Sequence, residues 1–147
     1  MFPQTQEVTE ALRTVARLDP ASQTTVQTSA RVKASLYNRF LAVLDVGVLA
    51  SNTVLNMAIN QHNAASGGTS KAVSGKAITA LTQAGSDSNK MVGIELRSEE
   101  LDGDNGFDWI SVAVTTSVGA AIFGMQLYAT SARYAPIGTD EWDEVVH

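Results

Sequence analysis

At 147 residues, with 44% hydrophobic and 17% charged side chains, the chain has the size and composition of one globular domain with short appendages. Its formal charge of −5 at pH 7 and its scattered basic residues argue against direct binding to nucleic acid. The absence of cysteine excludes disulfide bonds and zinc-thiolate sites.

The start of the chain carries no targeting pattern. Its first residues have neither a basic start nor a continuous apolar stretch, so we expect no secretory signal. Apolar stretches elsewhere are interrupted well before the ~20 residues that would span a bilayer, so we expect no membrane segment. The charged fraction lies below the roughly 25% typical of soluble domains, which favours a surface partly covered by a partner.

Residues 4–18 have the pattern of a short amphipathic helix. Polar and charged residues separate apolar ones at helical spacing, and Pro20 stops the pattern because proline cannot continue a helix. We therefore predict a helical arm over residues 1–20, which either packs on its own domain or docks on a neighbouring subunit. Its apolar stripe, which is the candidate interface, consists of Val8, Leu12, Val15 and Leu18.

From residue 24 onward the hydrophobic period changes to two, which predicts strands. Leu55, Met57 and Ile59 alternate with small or polar residues, so we expect them on the buried face of one strand. Residues 121–129 are largely apolar on both faces, which predicts a central strand or a covered outer face. The predicted strands occupy residues 24–35, 38–49, 53–60, 72–79, 92–97, 109–115 and 121–129.

The connections between these segments are turn-like and contain no helical pattern. Residues 63–70, 84–89 and 101–106 are rich in Gly, Ser, Asn and Asp. Short strands at such spacing favour an all-β fold, an antiparallel β-sandwich or jelly roll, over a parallel α/β sheet. We assign residues 21–136 to this domain.

The last residues form an acidic extension around a single aromatic side chain. We assign residues 137–147 to this tail and take Trp142 as its anchor and as a further interface candidate. The acids of the tail either face solvent or dock on a basic patch of a neighbour. The acids beside Trp142 are Asp140, Glu141, Asp143 and Glu144.

One acidic segment has the residue types of a metal site. Asp102, Asp104 and Asp108 supply the hard oxygen ligands that calcium prefers, but no register of the segment satisfies an EF-hand loop. Asp-Gly and Asn-Gly pairs are also the ordinary material of tight turns. We therefore expect a structural turn, keep these aspartates as weak cation candidates, and expect no cofactor.

The two histidines do not indicate catalysis. His62 precedes the Gly-Ser loop and His147 is the last residue, so they lack metal-ligand spacing and neither is flanked by Ser, Asp or Cys in a catalytic pattern. We expect His62 to be an exposed loop histidine. Strands can bring distant carboxylates together, yet no pair stands out. The chain is not expected to be an enzyme.

Aromatic residues in the second half allow two interpretations. Exposed together, their rings would form a platform for a sugar or, with a basic groove, for a single-stranded nucleic acid. In sandwiches such residues more often pack in the core. The rings are those of Phe107, Trp109, Tyr128 and Tyr134. The basic residues Arg31, Lys33, Arg39 and Arg97 are too few and too dispersed to favour nucleic acid.

The second half also has a recurring order of motifs. Ala-Ile-Thr occurs within residues 75–82, Asp-Ser-Asn-Lys at 87–90, Glu-Leu-Arg within 92–97, Glu-Leu-Asp within 100–110 and Arg-Tyr within 132–136. This order resembles that of small β-sandwich virion proteins encoded in the structural modules of tailed bacteriophages and prophages. The resemblance spans roughly residues 70–136 and consists of strand and turn motifs, with no catalytic signature.

The resemblance implies a mechanical role. It predicts a nonenzymatic capsid decoration or cement protein that binds capsid or other virion subunits, is a homotrimer by analogy, and resides in the virion after synthesis in the bacterial cytoplasm. Another virion component, such as a tail, spike or head-to-tail protein, is the nearest alternative. A carbohydrate-binding sandwich module, with or without calcium, is the alternative from a different class.

Overall fold

The computed structural model describes residues 8–132 together with Asp143, Glu144 and Val146. In this part of the chain, two antiparallel sheets contain nearly all of the regular structure. The four-stranded sheet has the order β1 (Leu12–Gln23), β10 (Ala121–Ala132), β4 (Tyr37–Leu49) and β8 (Met91–Arg97). No helix in these ranges is long and apolar enough to cross a membrane.

The six-stranded sheet has two long strands at its centre and short ones at its borders. The central pair is β5 (Val54–His62) and β9 (Trp109–Ser117). Along β9 lie β2 (Gln27–Thr28) and β3 (Val32–Lys33), and along β5 lie β6 (Ser70–Ala77) and β7 (Leu81–Thr82). Turns of 3-10 helix cover Ala34–Leu36, Ser98–Glu100 and Gly103–Asn105.

The chain passes repeatedly from one sheet to the other. Apart from the β2–β3, β5–β6 and β6–β7 connections, every connection between consecutive strands joins a strand of one sheet to a strand of the other. The connecting loops therefore collect at the two ends of the sandwich. The predicted all-β class with two antiparallel sheets is confirmed. The hydrophobic pattern alone did not determine the order of the strands.

The core lies between the two sheets, as the alternating pattern predicted. Leu55, Met57 and Ile59 are fully buried, so the predicted inward face of β5 is correct. Their neighbours on β9 point inward in the same register, and the opposite sheet contributes a second row of side chains. Other large buried side chains of this core are Ile110, Val112 and Val114 of β9, and Leu44, Leu96, Phe123, Met125 and Leu127 of the four-stranded sheet.

The prediction that residues 121–129 form a central strand is also confirmed. β10 lies between β1 and β4, and Pro20 of β1 approaches its outer face. A Cβ atom at Gly124 would lie 3.0 Å from the Pro20 ring, so a larger residue would push against the proline and the close approach favours glycine. The register between β1 and β10 shifts at this point, between Leu18 and Ala21. Pro20 thus occupies a bulge in a border strand, where proline is tolerated.

The predicted helical arm is wrong from Leu12 onward. Residues 1–7 of the arm lie outside the described residues, Val8–Ala11 forms a helical turn, and Leu12–Gln23 is strand β1 paired with β10. Two register shifts, one of them between Thr14 and Ala16, break the two-residue alternation. The first shift lies inside the apolar stripe, where Leu12, Val15 and Leu18 have a three-residue spacing that resembles a helix although they belong to a strand. The predicted acidic tail at 137–147 lies mostly outside the described residues.

We expect Leu55→Ala to lower the free energy of unfolding by about 2–5 kcal/mol, because a fully buried leucine leaves a cavity between the sheets. Urea unfolding measures the loss. Thr115→Ala, an exposed position on the neighbouring strand β9, is the control and should change stability by no more than about 0.5 kcal/mol. A loss below about 1 kcal/mol for Leu55→Ala would contradict the assigned core face.

Candidate functional site

The sheet register brings four polar residues together at one end of the six-stranded sheet. His62 is the last residue of β5 and pairs with Ser70 at the start of β6. Ser111 of β9 pairs with Asn60, two residues before His62. Since the residues that alternate with these point into the core, His62 and Ser111 lie on the outer face of the sheet. Together with Arg31, these side chains form what we call the His62 cluster.

Both ring nitrogens of His62 are hydrogen bonded. Nδ1 lies 2.5 Å from the Ser70 hydroxyl and Nε2 lies 2.7 Å from the Ser111 hydroxyl. His62 is only 6% exposed and Ser111 is fully buried, so the expectation of an exposed loop histidine is wrong. A neutral imidazole satisfies this arrangement by donating through one nitrogen and accepting through the other.

Arg31 holds a loop over this part of the sheet. Its guanidinium donates hydrogen bonds of 2.8 Å to the backbone carbonyls of Ala64 and Gly67. The side-chain oxygen of Asn63 accepts a 2.8 Å bond from the Thr69 amide and so closes the loop. The composition of residues 63–70 predicted a flexible surface loop, but the loop is fastened by these bonds. Ser70, at the end of this loop, also contacts His62 through its hydroxyl, which joins the loop to the cluster.

Glycine is required at one position of this loop. Gly68 has a φ of +66°, and a Cβ atom there would lie 2.3 Å from the Asn63 side-chain oxygen. A larger residue would displace Asn63 from its bond to Thr69, and few L residues adopt this backbone conformation. The Gly-Gly pair in the sequence was the signal for a special turn, although it did not show what the loop covers.

The electrostatics of the cluster oppose general-base catalysis. Burial, and secondarily the positive charge of Arg31, lower the pKa of His62. A catalytic histidine that activates a serine must become an imidazolium, which a carboxylate partner normally stabilises. Here the second partner is the hydroxyl of the buried Ser111, and the nearby charge is positive. The arrangement instead fixes the ends of β5, β6 and β9 against the loop.

Asp102 is occupied by other side chains of the protein. Its carboxylate forms an ion pair with Lys71 and accepts 2.9 Å bonds from the Asn105 amide. The Lys71 hydrogen bond is the main cause that lowers the pKa of Asp102, followed by the bond from Asn105. The Asp102 amide donates to the Gln61 side chain at 2.9 Å. These contacts fasten the acidic segment to the end of β5.

The acidic segment is a structural turn in the described structure. Within residues 8–132, no three His, Asp or Glu side chains are gathered into a group that could hold a metal ion, so Asp102, Asp104 and Asp108 do not form one. Lys71 already neutralises Asp102 and lies 4.3 Å from the Phe107 ring centroid. A cation at Asp102 would have to displace this ammonium group.

The aromatic residues do not form one platform. Trp109 belongs to the six-stranded sheet, where the Lys33 ammonium lies 5.9 Å from its ring centroid. Tyr128 lies in β10 of the opposite sheet, and Phe107 is buried. Tyr134 is outside the described residues. The two half-buried rings, Trp109 and Tyr128, therefore belong to different sheets, and no shared sugar-binding surface joins them.

The residues predicted for an interface have different environments. Val15 and Leu18 are partly buried and pack against the core of their own domain. Leu12 is half-buried in β1, whereas Val8 is 66% exposed in the helical turn that precedes it. Trp142 lies outside the described residues. Among the described members of the predicted stripe, only Val8 offers a largely free apolar side chain.

Comparison with solved structures gives a distant likeness, whereas the other two comparisons give none. No protein-family model matches the chain, and no curated protein matches it. A chain in a solved structure, the cryo-EM atomic structure of Broad Bean Stain Virus, is similar with 13% sequence identity and a TM-score of 0.36. The match covers 88% of this chain and 68% of the viral chain.

The stability of the fold should depend on the protonation of His62. Its pKa is lowered in the folded protein but is about 6.5 in an unfolded chain. As the pH falls below about 6.5, the unfolded chain gains a proton that the folded protein resists, so the free energy of unfolding decreases down to the lowered pKa. Urea midpoints measured from about pH 7 to pH 5 test this.

His62→Gln is the matched control for this pH dependence. It keeps a side chain that can both donate and accept hydrogen bonds but cannot titrate. We expect a flatter pH profile for this variant than for the wild type. Equal slopes in the two proteins would show that His62 is not the group responsible.

Removing the Arg31 guanidinium should release the loop. We expect Arg31→Ala to increase amide hydrogen exchange across residues 63–70 by about tenfold or more, because two charge-assisted bonds to the loop are lost. The pKa of His62 should rise, since a nearby positive charge is removed. Lys33→Ala is the control, because Lys33 contacts the Trp109 ring instead. Unchanged exchange in the Arg31 variant would refute the role of this clamp.

Proposed function

We propose that the chain is a nonenzymatic structural component of a virus particle, of the capsid decoration or cement type. The observation that carries the proposal is the strand order, in which the chain alternates between two four-membered layers: β1, β10, β4 and β8 in one, and β2/β3, β9, β5 and β6/β7 in the other. This is the arrangement of a jelly roll, a body shared by viral capsid domains, lectins and cupins.

The contacts on the six-stranded sheet favour the structural role over the binding module. A calcium-dependent sugar site needs free carboxylates and a shared aromatic surface. Asp102 is instead paired with Lys71, and Trp109 and Tyr128 belong to different sheets. The His62 cluster is closed by its own hydroxyl partners and by the loop that Arg31 holds. Its hydrogen bonds serve the stability of the fold.

A virion role also agrees with the distribution of polar and apolar side chains over the surface of the protein. The ion pairs and the buried polar cluster hold single loops in place, and large apolar side chains stay exposed elsewhere. Repeated contacts between identical small subunits give avidity even where each contact is weak. The tailed-phage setting, the trimer and the location in the virion are proposed from the resemblance that the sequence motifs carry. The tail, spike and head-to-tail roles are the alternatives within that setting.

The mass of the purified protein in solution tests this function. We expect light scattering to show a trimer or a larger assembly. Its mass should not change when a chelator is added, because direct contacts between subunits hold it together. Electron microscopy of the large species should show regular particles. A monomer at all concentrations, or a species whose mass or melting temperature depends on the chelator, would contradict the proposal and favour a calcium-dependent binding module.

A further inference from the structure

Most of the exposed large apolar side chains lie at one end of the sandwich. Eight such side chains are exposed in the described part of the chain, and five of them occupy the loops at this end or the strand positions beside them. The register joins these positions, since Ala121 pairs with Gln23 and with Leu49, and Asp45 pairs with Met91. The five residues are Val26, Val48, Met91, Val118 and Ile122.

We call this surface the neutral end and define it by the loops at 24–26, 50–53, 83–90 and 117–120 with their flanking strand residues. In these loops the charged residues are Asp87 and Lys90, which bind each other at 2.5 Å. Asp45 lies on the adjoining strand β4. It is an acid near this surface that has no ion-pair partner among the described residues. Asp19 of β1 lies near the same level of the four-stranded sheet and is paired with Arg17 at 3.2 Å. A protein of net charge −5 thus has one end with little net charge.

The backbone at the neutral end is strained. All four described non-glycine residues with positive φ lie in its loops, namely Asn52, Ser86, Asn89 and Val118. Val118 is the most unusual, because a φ of 73° is a strained conformation for a β-branched residue. Its side chain is 83% exposed, so burial within the subunit does not offset that strain. Such strain is typical of functional positions.

The loops of the neutral end are fastened to one another. The Ala50 amide and the Thr53 hydroxyl both donate to the Ala120 carbonyl, at 2.9 and 3.2 Å. The Asn89 amide donates to Gly47 at 2.8 Å, and a Cβ atom at Gly119 would lie 2.3 Å from the Thr53 hydroxyl. The apolar side chains are therefore presented on a preorganised surface, which reduces the entropy lost on binding.

We infer that the neutral end is the surface through which copies of this chain contact one another around a symmetry axis. The net charge of the chain favours a second copy of the same chain as the partner at the neutral end. Two chains of charge −5 repel each other except where the facing surfaces carry little net charge, and a strongly basic partner would find no acidic surface here to recognise. Identical preorganised apolar loops then pack together. This inference deepens the proposed function and rests on it.

Substitutions at the two most exposed residues of the neutral end test the inference. Val118→Asn keeps the turn, because asparagine tolerates positive φ, and removes the apolar contact. Combined with Met91→Gln, it should raise the dissociation constant of the assembly about tenfold or more in sedimentation equilibrium. The urea midpoint of the dilute protein should not fall, since both residues are exposed and the strain at Val118 is relieved.

Val8→Asn is the matched control. Val8 is a valine of comparable exposure at the other end of the sandwich, just before Leu12, which pairs with Thr130. The inference predicts that this control assembles like the wild type. If the wild type assembles and the double variant assembles equally well, or if Val8→Asn alone disrupts assembly, the inference is overturned while the proposed function stands. A wild type that never assembles overturns both.

Discussion

The pairing of β10 with strands on both sides is the interaction on which the rest of the structure depends. β10 is the last described strand, yet it lies between β1, which begins the sheet, and β4. The four-stranded sheet therefore forms only when distant parts of the chain meet, a topology that makes folding slow and cooperative. The same pairing fixes Ala121 beside Gln23 and Leu49, which brings loops from three parts of the chain to the neutral end.

Local alternation was sufficient to predict the strands whose register is regular. β5 and β9 pair without a shift over their length, and the inward faces of both follow from spacing alone. The first segment was mistaken for a helix because its apolar residues lie three apart. In the structure it is a strand with two bulges against β10, and a bulge depends on a partner strand that the local sequence does not reveal. Pro20, which indicated the end of a helix, lies instead in one of these bulges.

The polar residues were harder to predict because their partners are distant in the sequence. His62 looked exposed beside a flexible loop, but Arg31, more than 30 residues earlier, fastens that loop over it. Asp102 was a weak cation candidate in a segment expected to be a turn, and its partner Lys71 is 31 residues away in the sequence. Whether Trp109 and Tyr128 share a surface is decided by strand order, which the alternating pattern leaves open.

The two ends of the sandwich have different physical character. At one end, ion pairs and the His62 cluster bind loops to their own sheet, so the polar groups there are satisfied within the subunit. At the other end the loops are equally fastened, but they present apolar side chains with little charge. In the assembly that we propose, the first end would stabilise the subunit and the second would contact identical copies.

Hydrogen exchange measured on the free and the assembled protein tests this account most directly. We expect amides in residues 24–26, 50–53, 83–90 and 117–120 to become protected on assembly, while residues 63–70 exchange at the same rate in both states. Protection that is unchanged at the neutral end, or that appears only at the end of the sandwich that holds the His62 cluster, would contradict it.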